Sequence, residues 1–381
     1  AHKPVDGHAP GLTGVDLNAY VAAGISSDHE CTTLAEAREK LKAGMHIMVR
    51  EGTAAKNLAA LLPLVNPHTC RRMMWCTDDR HAHDLLTEGH IDFIVRSAVD
   101  QGLDPVVAVQ MATLNPAEFF GLRHLGAVAP GRRADLLVIE DLHDLKVGRV
   151  YSRGRLVAID GRVVDGIETP RPIGAPPAMR VPSGALDFSI AATGRRVRVI
   201  EIVPEQIITR SIVAEARIED GRAVSDPGRD LLKIAVVDRH SGTGRTAAAF
   251  VKGLGLKQGA IASSVAHDAH NIIVAGVGDR DMSAAVETIV KMAGGLAVVS
   301  DGRLLAQLAL PIAGLMSEAP LAEVAAGLDR LIAATHFLGS PLGDPFMTLS
   351  FLALPVIPAL KLTDRGLVDV EKFQIGPLFV E

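Results

Sequence analysis

The sequence predicts an α/β protein built as an incomplete (β/α) barrel, a small β-sheet and a C-terminal α/β unit. Three observations predict it. In residues 1–125, short apolar runs alternate with helix-forming stretches and end near His8, His29, Arg50 and Asp78, at steps of roughly 20–30 residues, the pitch of successive βα units. Residues 126–168 are rich in turn formers and carry short β segments. Residues 188–381, beyond a stretch at 169–187 with five prolines that reads as a linker, mix apolar strands with amphipathic helices.

Each element has a local reason. Residues 34–42 form a helix capped by Thr32 or Thr33, with Glu36 placed as in a capping box. Residues 45–49 are a strand ending at Arg50-Glu51-Gly52, 54–62 a helix stopped by Pro63, and 73–76 the next strand. Residues 84–101 and 105–111 are helical, and 116–120 a further helix with Asn115 as cap and Pro116 at its first position. Only four strands of the barrel type are visible, where a closed barrel has eight. Strands at 136–139, 147–151 and 156–159 follow, with a hairpin turn at Asp160-Gly161. Beyond the linker, 197–202, 212–218, 232–237 and 272–275 read as strands, 283–292 and 321–334 as helices, and 297–300 with 304–308 as a hairpin across Asp301-Gly302.

Composition narrows the function classes. Hydrophobic residues make up 48% of 381, enough for sizeable cores. A net charge of −5 and only 3% aromatics argue against a nucleic-acid or anionic-membrane surface. The three cysteines are unpatterned, which suits a reduced cytoplasm rather than a disulfide scaffold. The apolar run at 346–362 contains Pro355 and Pro358 and is too short to span a bilayer. The chain opens on Ala1 without an initiator Met, so part of the protein is expected upstream.

The run 73–76 leads straight into Thr77, Asp78, Asp79 and Arg80. That pattern is a short buried strand delivering a carboxylate pair to its tip, where chemistry sits in a (β/α) barrel. Val5-Asp6-Gly7-His8 ends in a histidine, and Gly24 to Glu30 ends in His29 and Glu30. His8, His29 and Asp78 on three strand tips make a divalent-metal ligand set. Plainer roles exist for each: a surface histidine for His8, a helix N-cap for Asp78. Asp28 and Glu30 flank His29 and would raise its basicity or orient its ring; Glu30 divides between proton handling and structure. Asp79 and Arg80 read as an outer pair, and His81, His83 and His90 as solvated. In the C-terminal unit, His267, Asp268, His270 and Asn271 form a polar cluster between apolar segments, costly to bury unless it faces a site. Gly242-Thr243-Gly244 lacks a following Lys-Ser/Thr and reads as a turn, not a phosphate loop.

Two stretches carry a family resemblance. Thr113-Leu-Asn-Pro-Ala-Glu-Phe-Phe-Gly-Leu and Gly126-Ala-Val-Ala-Pro-Gly-Arg-Arg-Ala-Asp-Leu-Leu-Val resemble the closing signature of the amidohydrolase superfamily. Within it the chain most resembles the bacterial adenine deaminases, through Gly7-His8-Ala-Pro, His29-Glu30, Met48-Val-Arg-Glu-Gly-Thr-Ala, Cys76-Thr-Asp-Asp-Arg and Ser263-Ser-Val-Ala-His-Asp-Ala-His-Asn. The resemblance implies the C-terminal half of a (β/α)8 amidohydrolase barrel at 1–125 (strands five to eight), a β-sheet appendage at 126–168, and the family's own C-terminal domain at 188–381. It implies a two-metal site, with His8, His29 and Asp78 as ligands and the remaining ligands, a His-x-His pair and a bridging acid, upstream of Ala1.

The implied activity is hydrolysis of adenine to hypoxanthine and ammonia, for purine salvage. Asp78 is then expected to take the proton from water and return it to the amine, with Glu30 assisting. Arg50, Glu51, Asp79, His267, Asp268, His270 and Asn271 are expected to contact or enclose the purine. For Arg50 and Glu51, bracing the site or forming a structural ion pair are the alternative readings. Manganese or iron are the expected metals, with zinc also compatible. A small-molecule purine is the expected partner, in a cytoplasmic homo-oligomer. Two other readings fit the same residues: an amidohydrolase acting on another cyclic amide, and a non-catalytic assembly module.

Overall fold

The computed structural model describes residues 3–53, 55–167, 179–182, 184, 186–204 and 206–381. The chain divides into two compact units, Ala1–Pro170 and Arg171–Glu381. Most of the proline-rich stretch, 168–178 with 183 and 185, lies outside the described residues.

The first unit begins with alternating strands and helices: β1 (Val5–Gly7), α1 (Gly14–Ala22), β2 (Ile25–Asp28), α2 (Leu34–Lys42), β3 (His46–Arg50), α3 (Leu58–Leu61) and β4 (Met73–Cys76). The strands pair in parallel in chain order, β1-β2-β3-β4, with Gly7 beside Asp28, Asp28 beside Ile47 and Arg50 beside Cys76. Because all four run the same way, their C-terminal tips share one edge of the sheet. Helices α4 (Ala82–Thr87), α5 (Ile91–Asp100), α6 (Pro105–Ala112) and α7 (Leu114–Phe119) follow. Ile47, Val49, Met73 and Trp75 pack with Leu58, Leu61, Ile94, Ala108 and Met111 into one core. That burial explains why β3 and β4 are apolar without strict alternation.

Caps and breaks refine the sequence expectations. Thr33 caps α2 by accepting from Glu36 N, and Glu36 reaches back to Thr32 N at 3.2 Å. Helix α3 starts at Leu58, not at 54 (Ala54 lies outside the described residues); Lys56 pairs back on Glu51, and Asn57 N donates to Arg50 O. Pro63 sits in a short 3₁₀ turn, Leu62–Leu64, after the helix. The expected 84–101 helix breaks at Gly89, whose φ of 113° no helix accommodates. Asn115 is not a cap. It is buried, and its amide donates to Cys70 O at 2.7 Å and Met73 O at 2.8 Å, fastening α7 to the start of β4.

An antiparallel meander closes the unit: β5 (Leu136–Ile139), β6 (Val147–Ser152), β7 (Arg155–Ile159) and β8 (Arg162–Val163). The Asp160-Gly161 turn has φ of 47° and 75°, the left-handed pair of a type I′ hairpin. A groove of about 540 Å³ between α6, α7 and β5 is lined by Val109, Phe120, Leu122, Val128 and Leu137, and by none of the candidate site residues.

The second unit contains β9 (Ile190–Ala191), β10 (Arg196–Ile202), β11 (Thr209–Glu215), β12 (Arg217–Glu219), β13 (Arg222–Val224), β14 (Leu232–Val237), β15 (Thr246–Lys252), β16 (Ala260–Ser263) and β17 (Ile272–Gly276). Then come α8 (Asp279–Lys291), β18 (Gly295–Ser300), β19 (Arg303–Ala309), α9 (Leu321–Phe337), α10 (Pro345–Phe351), β20 (Leu360–Thr363), β21 (Gly366–Asp369), β22 (Gln374–Ile375) and β23 (Phe379–Val380). A large sheet runs β11-β10-β15-β14-β17-β16-β18-β19, with β23 also on β10; β10 and β15 are parallel and the other pairs antiparallel. Helix α8 packs Met282, Val286 and Ile289 on one face, against Val237, Val274 and Val299. Leu328 and Leu331 of α9, Leu349 of α10 and Leu360 of β20 cover the other, against Ile234, Ile261 and Ile273. The central strands β14, β16, β17 and β18 are therefore buried on both sides. The 297–300 and 304–308 hairpin forms as expected, whereas the expected 212–218 strand divides into β11 and β12.

No helix among the described residues is long and apolar enough to cross a membrane. Cys31, Cys70 and Cys76 are free thiols.

Candidate active site

The shared edge of the parallel sheet brings together residues that the sequence separates by about seventy positions, as parallel strand tips must. His8 follows β1, His29 and Glu30 follow β2, Arg50 ends β3, and Asp78 and Asp79 follow β4. Nδ1 of His8 lies 3.4 Å from Glu30 Oε1. Nε2 of His29 lies 3.7 Å from the same oxygen and 3.5 Å from Asp78 Oδ2. The two imidazole rings meet edge-on, 5.6 Å between centroids.

Asp6 orients His29. Its Oδ2 is 3.0 Å from His29 Nδ1, and its Oδ1 accepts from Ser27 Oγ at 2.6 Å. Burial would raise the Asp6 carboxyl, but the bonds from His29 and Ser27 outweigh it and hold the group below its usual range. An ionised carboxylate only accepts, so His29 Nδ1 donates to Asp6, and Nε2 is the ring nitrogen that faces Glu30 and Asp78. The same bond from Asp6 raises the basicity of His29 against the opposing effect of burial, helped by the charges of Asp78 and Glu30.

Arg50 is the brace of the site. Nearly buried between β2 and β4, its guanidinium bonds to Glu30 and Asp79 and lies 3.2 Å from Asp78 Oδ2. Three carboxylates, those of Glu30, Asp78 and Asp79, thus surround a single guanidinium, and a fourth, that of Asp6, sits on His29. The surplus of negative charge favours a cation. The loop after β4 is pinned by close backbone contact: Thr53 N donates to Asp79 O at 2.9 Å, and a Cβ on Gly52 would meet Thr77 O at 2.6 Å. Asp78 itself adopts φ 57°, a left-handed conformation that aspartate tolerates, which turns the chain at the strand tip.

The donor set fits a metal. One donor atom from each of His8, His29 and Glu30 lies within 4.8 Å of the others. Two ligands about 2.1 Å from one ion in tetrahedral array stand roughly 3.4 Å apart. The separations of 3.4, 3.5 and 3.7 Å among His8, His29, Glu30 and Asp78 are close to that value. Imidazole nitrogen with carboxylate oxygen suits manganese, iron or zinc.

Residues 1–157 match the amidohydrolase family, and residues 206–374 match the adenine deaminase C-terminal domain. An adenine deaminase of Desulfatibacillum aliphaticivorans is 54% identical over 382 residues, covering 99% of this chain and 66% of the relative. One from Methanothrix thermoacetophila is 51% identical, covering 100% of this chain and 66% of the relative. The chain belongs to the adenine deaminase family, within the amidohydrolases. It spans 66% of the length of these two curated relatives. Membership implies use of a divalent metal. Among solved structures, the β-aspartyl dipeptidase of Fervidobacterium islandicum AW-1 is similar at 18% identity and a TM-score of 0.31, over 36% of this chain and 39% of that one. At that score the likeness adds nothing to the family assignment.

The remaining candidate residues make other contacts. Glu51 turns away from the cluster; its Oε2 accepts from Leu58 N at 3.0 Å, capping α3, and burial pushes its carboxyl up. Arg80 does not pair with Asp79. It bonds to Glu88 Oε2 at 2.5 Å and Gly89 O at 2.8 Å and lies over the Phe93 ring, because Arg50 already occupies Asp79. His90 is exposed yet bonded, its Nε2 3.2 Å from Thr77 Oγ1. In the second unit the His267 ring stacks on Phe351, with centroids 4.8 Å apart, and meets His270 edge-on at 5.4 Å. Asp268 is exposed. Asn271 is buried; its Oδ1 accepts from Arg239 N at 3.3 Å and its Nδ2 donates to Asp364 at 3.2 Å. The Gly242-Thr243-Gly244 segment is a turn, with Thr243 Oγ1 bonded to Asp238 at 3.0 Å.

Asp6 was not among the residues singled out from sequence. Its signal was present: side chains alternate along a strand, so Asp6, two before His8, faces the same side.

Proposed function

We propose that this chain carries part of the metal centre of an adenine deaminase, which hydrolyses adenine to hypoxanthine and ammonia for purine salvage in the cytoplasm. One juxtaposition carries the reading. His8, His29, Glu30 and Asp78 meet at the tips of parallel strands at ligand-like separations, in a chain whose relatives are named adenine deaminases. The in-order parallel sheet β1-β2-β3-β4 supports reading residues 1–125 as strands five to eight of an amidohydrolase barrel. The meander β5–β8 is then its appended sheet, and the second unit the family's own domain. His8, His29 and Asp78 would hold metal, with Glu30 in reach, in a centre of two divalent ions, manganese or iron by preference and zinc by donor type.

When bound, a divalent ion would supply a water acidic enough to lose a proton near neutral pH. Asp78 takes that proton, as the water oxygen bonds to the ring carbon bearing the amino group. It then returns the proton to the departing nitrogen, so that the C–N bond breaks to give ammonia. Arg50, 3.2 Å from Asp78 Oδ2, holds that carboxylate at the strand tip. Glu30, clasped by Arg50 and 3.4 Å from His8, keeps the first two tips in register. Asp79, bonded to the far side of the Arg50 fork, fixes its angle.

The test is metal content and turnover in the native protein purified with manganese, wild type against His29→Ala and Asp78→Asn. The proposal expects metal in the wild type, its loss in His29→Ala, and hypoxanthine release from adenine that Asp78→Asn abolishes. Hydrolysis of a dihydropyrimidine ring with no action on adenine would point to a different cyclic-amide hydrolase. Absence of both metal and turnover would leave an assembly module.

A further inference from the structure

Beneath the ligand cluster lies a second group of charges that takes no part in it. Lys40, on α2, is completely buried. Its ammonium donates to three acceptors, Ala9 O, Asp28 Oδ2 and Glu36 Oε1, each at 2.7 Å. All three of its N–H bonds are therefore used. Asp28 and Glu36 are themselves buried, and each also holds backbone. Asp28 Oδ1 accepts from Ala9 N and from Glu30 N, both at 3.3 Å. Glu36 accepts from Gly11 N at 2.8 Å and from Thr32 N at 3.2 Å. The Cys31 thiol donates to Asp28 Oδ2 at 3.2 Å.

The segments gripped in this way are 9–11 and 30–32. They directly follow His8 and His29, and the second begins at Glu30 itself. Burying an ammonium between two carboxylates gains little stability over an apolar filling of the same volume. What it does provide is a fixed distance, because three short charge-assisted bonds converge on one atom. We infer that Lys40 is a positioning residue for the metal centre: it ties the loop after β1 to the loop after β2 and so sets the spacing between His8 and the His29–Glu30 pair. This rests on the reading of those residues as ligands. The lysine itself touches none of them.

The test uses the full chain, manganese titration by calorimetry, and amide hydrogen exchange. Lys40→Met leaves two buried carboxylates without a counter-charge and is liable to unfold. The informative variant is therefore the charge-free triple D28N/E36Q/K40M, checked for folding by circular dichroism. Lys233, another buried lysine, paired with Asp279 at 2.7 Å in the second unit, provides the control Lys233→Met. The expected result is a loss of about tenfold or more in manganese affinity in the triple variant, the scale of an outer-shell defect. Faster exchange at Ala9 and Gly11 should accompany it, and Lys233→Met should show neither change. A folded triple variant that keeps wild-type affinity and protection overturns the inference. If the wild type binds no manganese, the ligand reading has failed, and exchange alone decides: accelerated exchange confined to 9–11 upholds the tie, and unchanged exchange removes it.

Discussion

Replacing Arg50 by methionine removes the one cation shared by Glu30, Asp78 and Asp79 while keeping most of the side-chain volume. The Arg50 side chain is 6% exposed, Glu30 9% and Asp79 14%, so two of the three partners are left nearly buried without the arginine that pairs them. Breaking a buried pair costs about 3–5 kcal/mol. Asp78 is 36% exposed and water relieves its share, which places the expected loss at the lower end, about 3–4 kcal/mol. For a cooperative unit of this size each kcal/mol moves the midpoint by about 2–4 °C, so the transition of the first unit should fall by roughly 6–16 °C. The assay is calorimetric unfolding of metal-free protein at fixed salt, so that neither a bound ion nor screening masks the repulsion. Adding Asp79→Asn to Arg50→Met should restore part of the loss, because it removes one of the stranded charges. A melting point within about 1 °C of wild type would refute the brace. So would a double variant whose loss is the plain sum of the single losses, since coupled charges do not add.

Two further outcomes follow from the same geometry. Asp6→Asn keeps the shape around His29 but removes the ionised acceptor from Nδ1; manganese affinity should fall by about tenfold, the lower end of outer-shell effects because Asp6 is 42% exposed, and calorimetric titration would expose an error by showing no change. In the second unit, burial holds Lys361 down to about 7 from an ordinary value of 10.5. Between those limits the unfolded chain binds the extra proton, so the cost of burying this lysine is complete below pH 7 and fades as pH rises toward 10.5, and stability should climb by up to about 1.4 kcal/mol per pH unit. Urea unfolding at several pH values should show a shallower climb for Lys361→Met than for wild type, and identical slopes would count against the depressed lysine.

What was legible in the sequence and what was not divide along a physical line. An apolar run of four residues that ends in Thr77, Asp78 and Asp79 shows its own strand and tip, because side-chain period and chain direction are local properties. Parallel pairing then brings His8, His29 and Asp78 together with no further information. Arg50 was legible only as an arginine at a strand end. Its role as a shared counter-ion depends on β3 lying between β2 and β4, which is a fact of sheet order. Lys40 is a harder case: four residues after Glu36 on a helix, it reads as an ordinary surface pair, and the pair is indeed formed. Nothing in that spacing tells that Ala9 and Asp28 close over it. The strand β15 was missed for a related reason. Thr-Ala-Ala-Ala-Phe-Val-Lys has the alanine content of a helix, yet it lies between β10 and β14, where small side chains fit a crowded central position. The depth of a residue belongs to whatever packs above it. A sequence can therefore show which side chains stand at a strand tip before it can show which of them hold the others still.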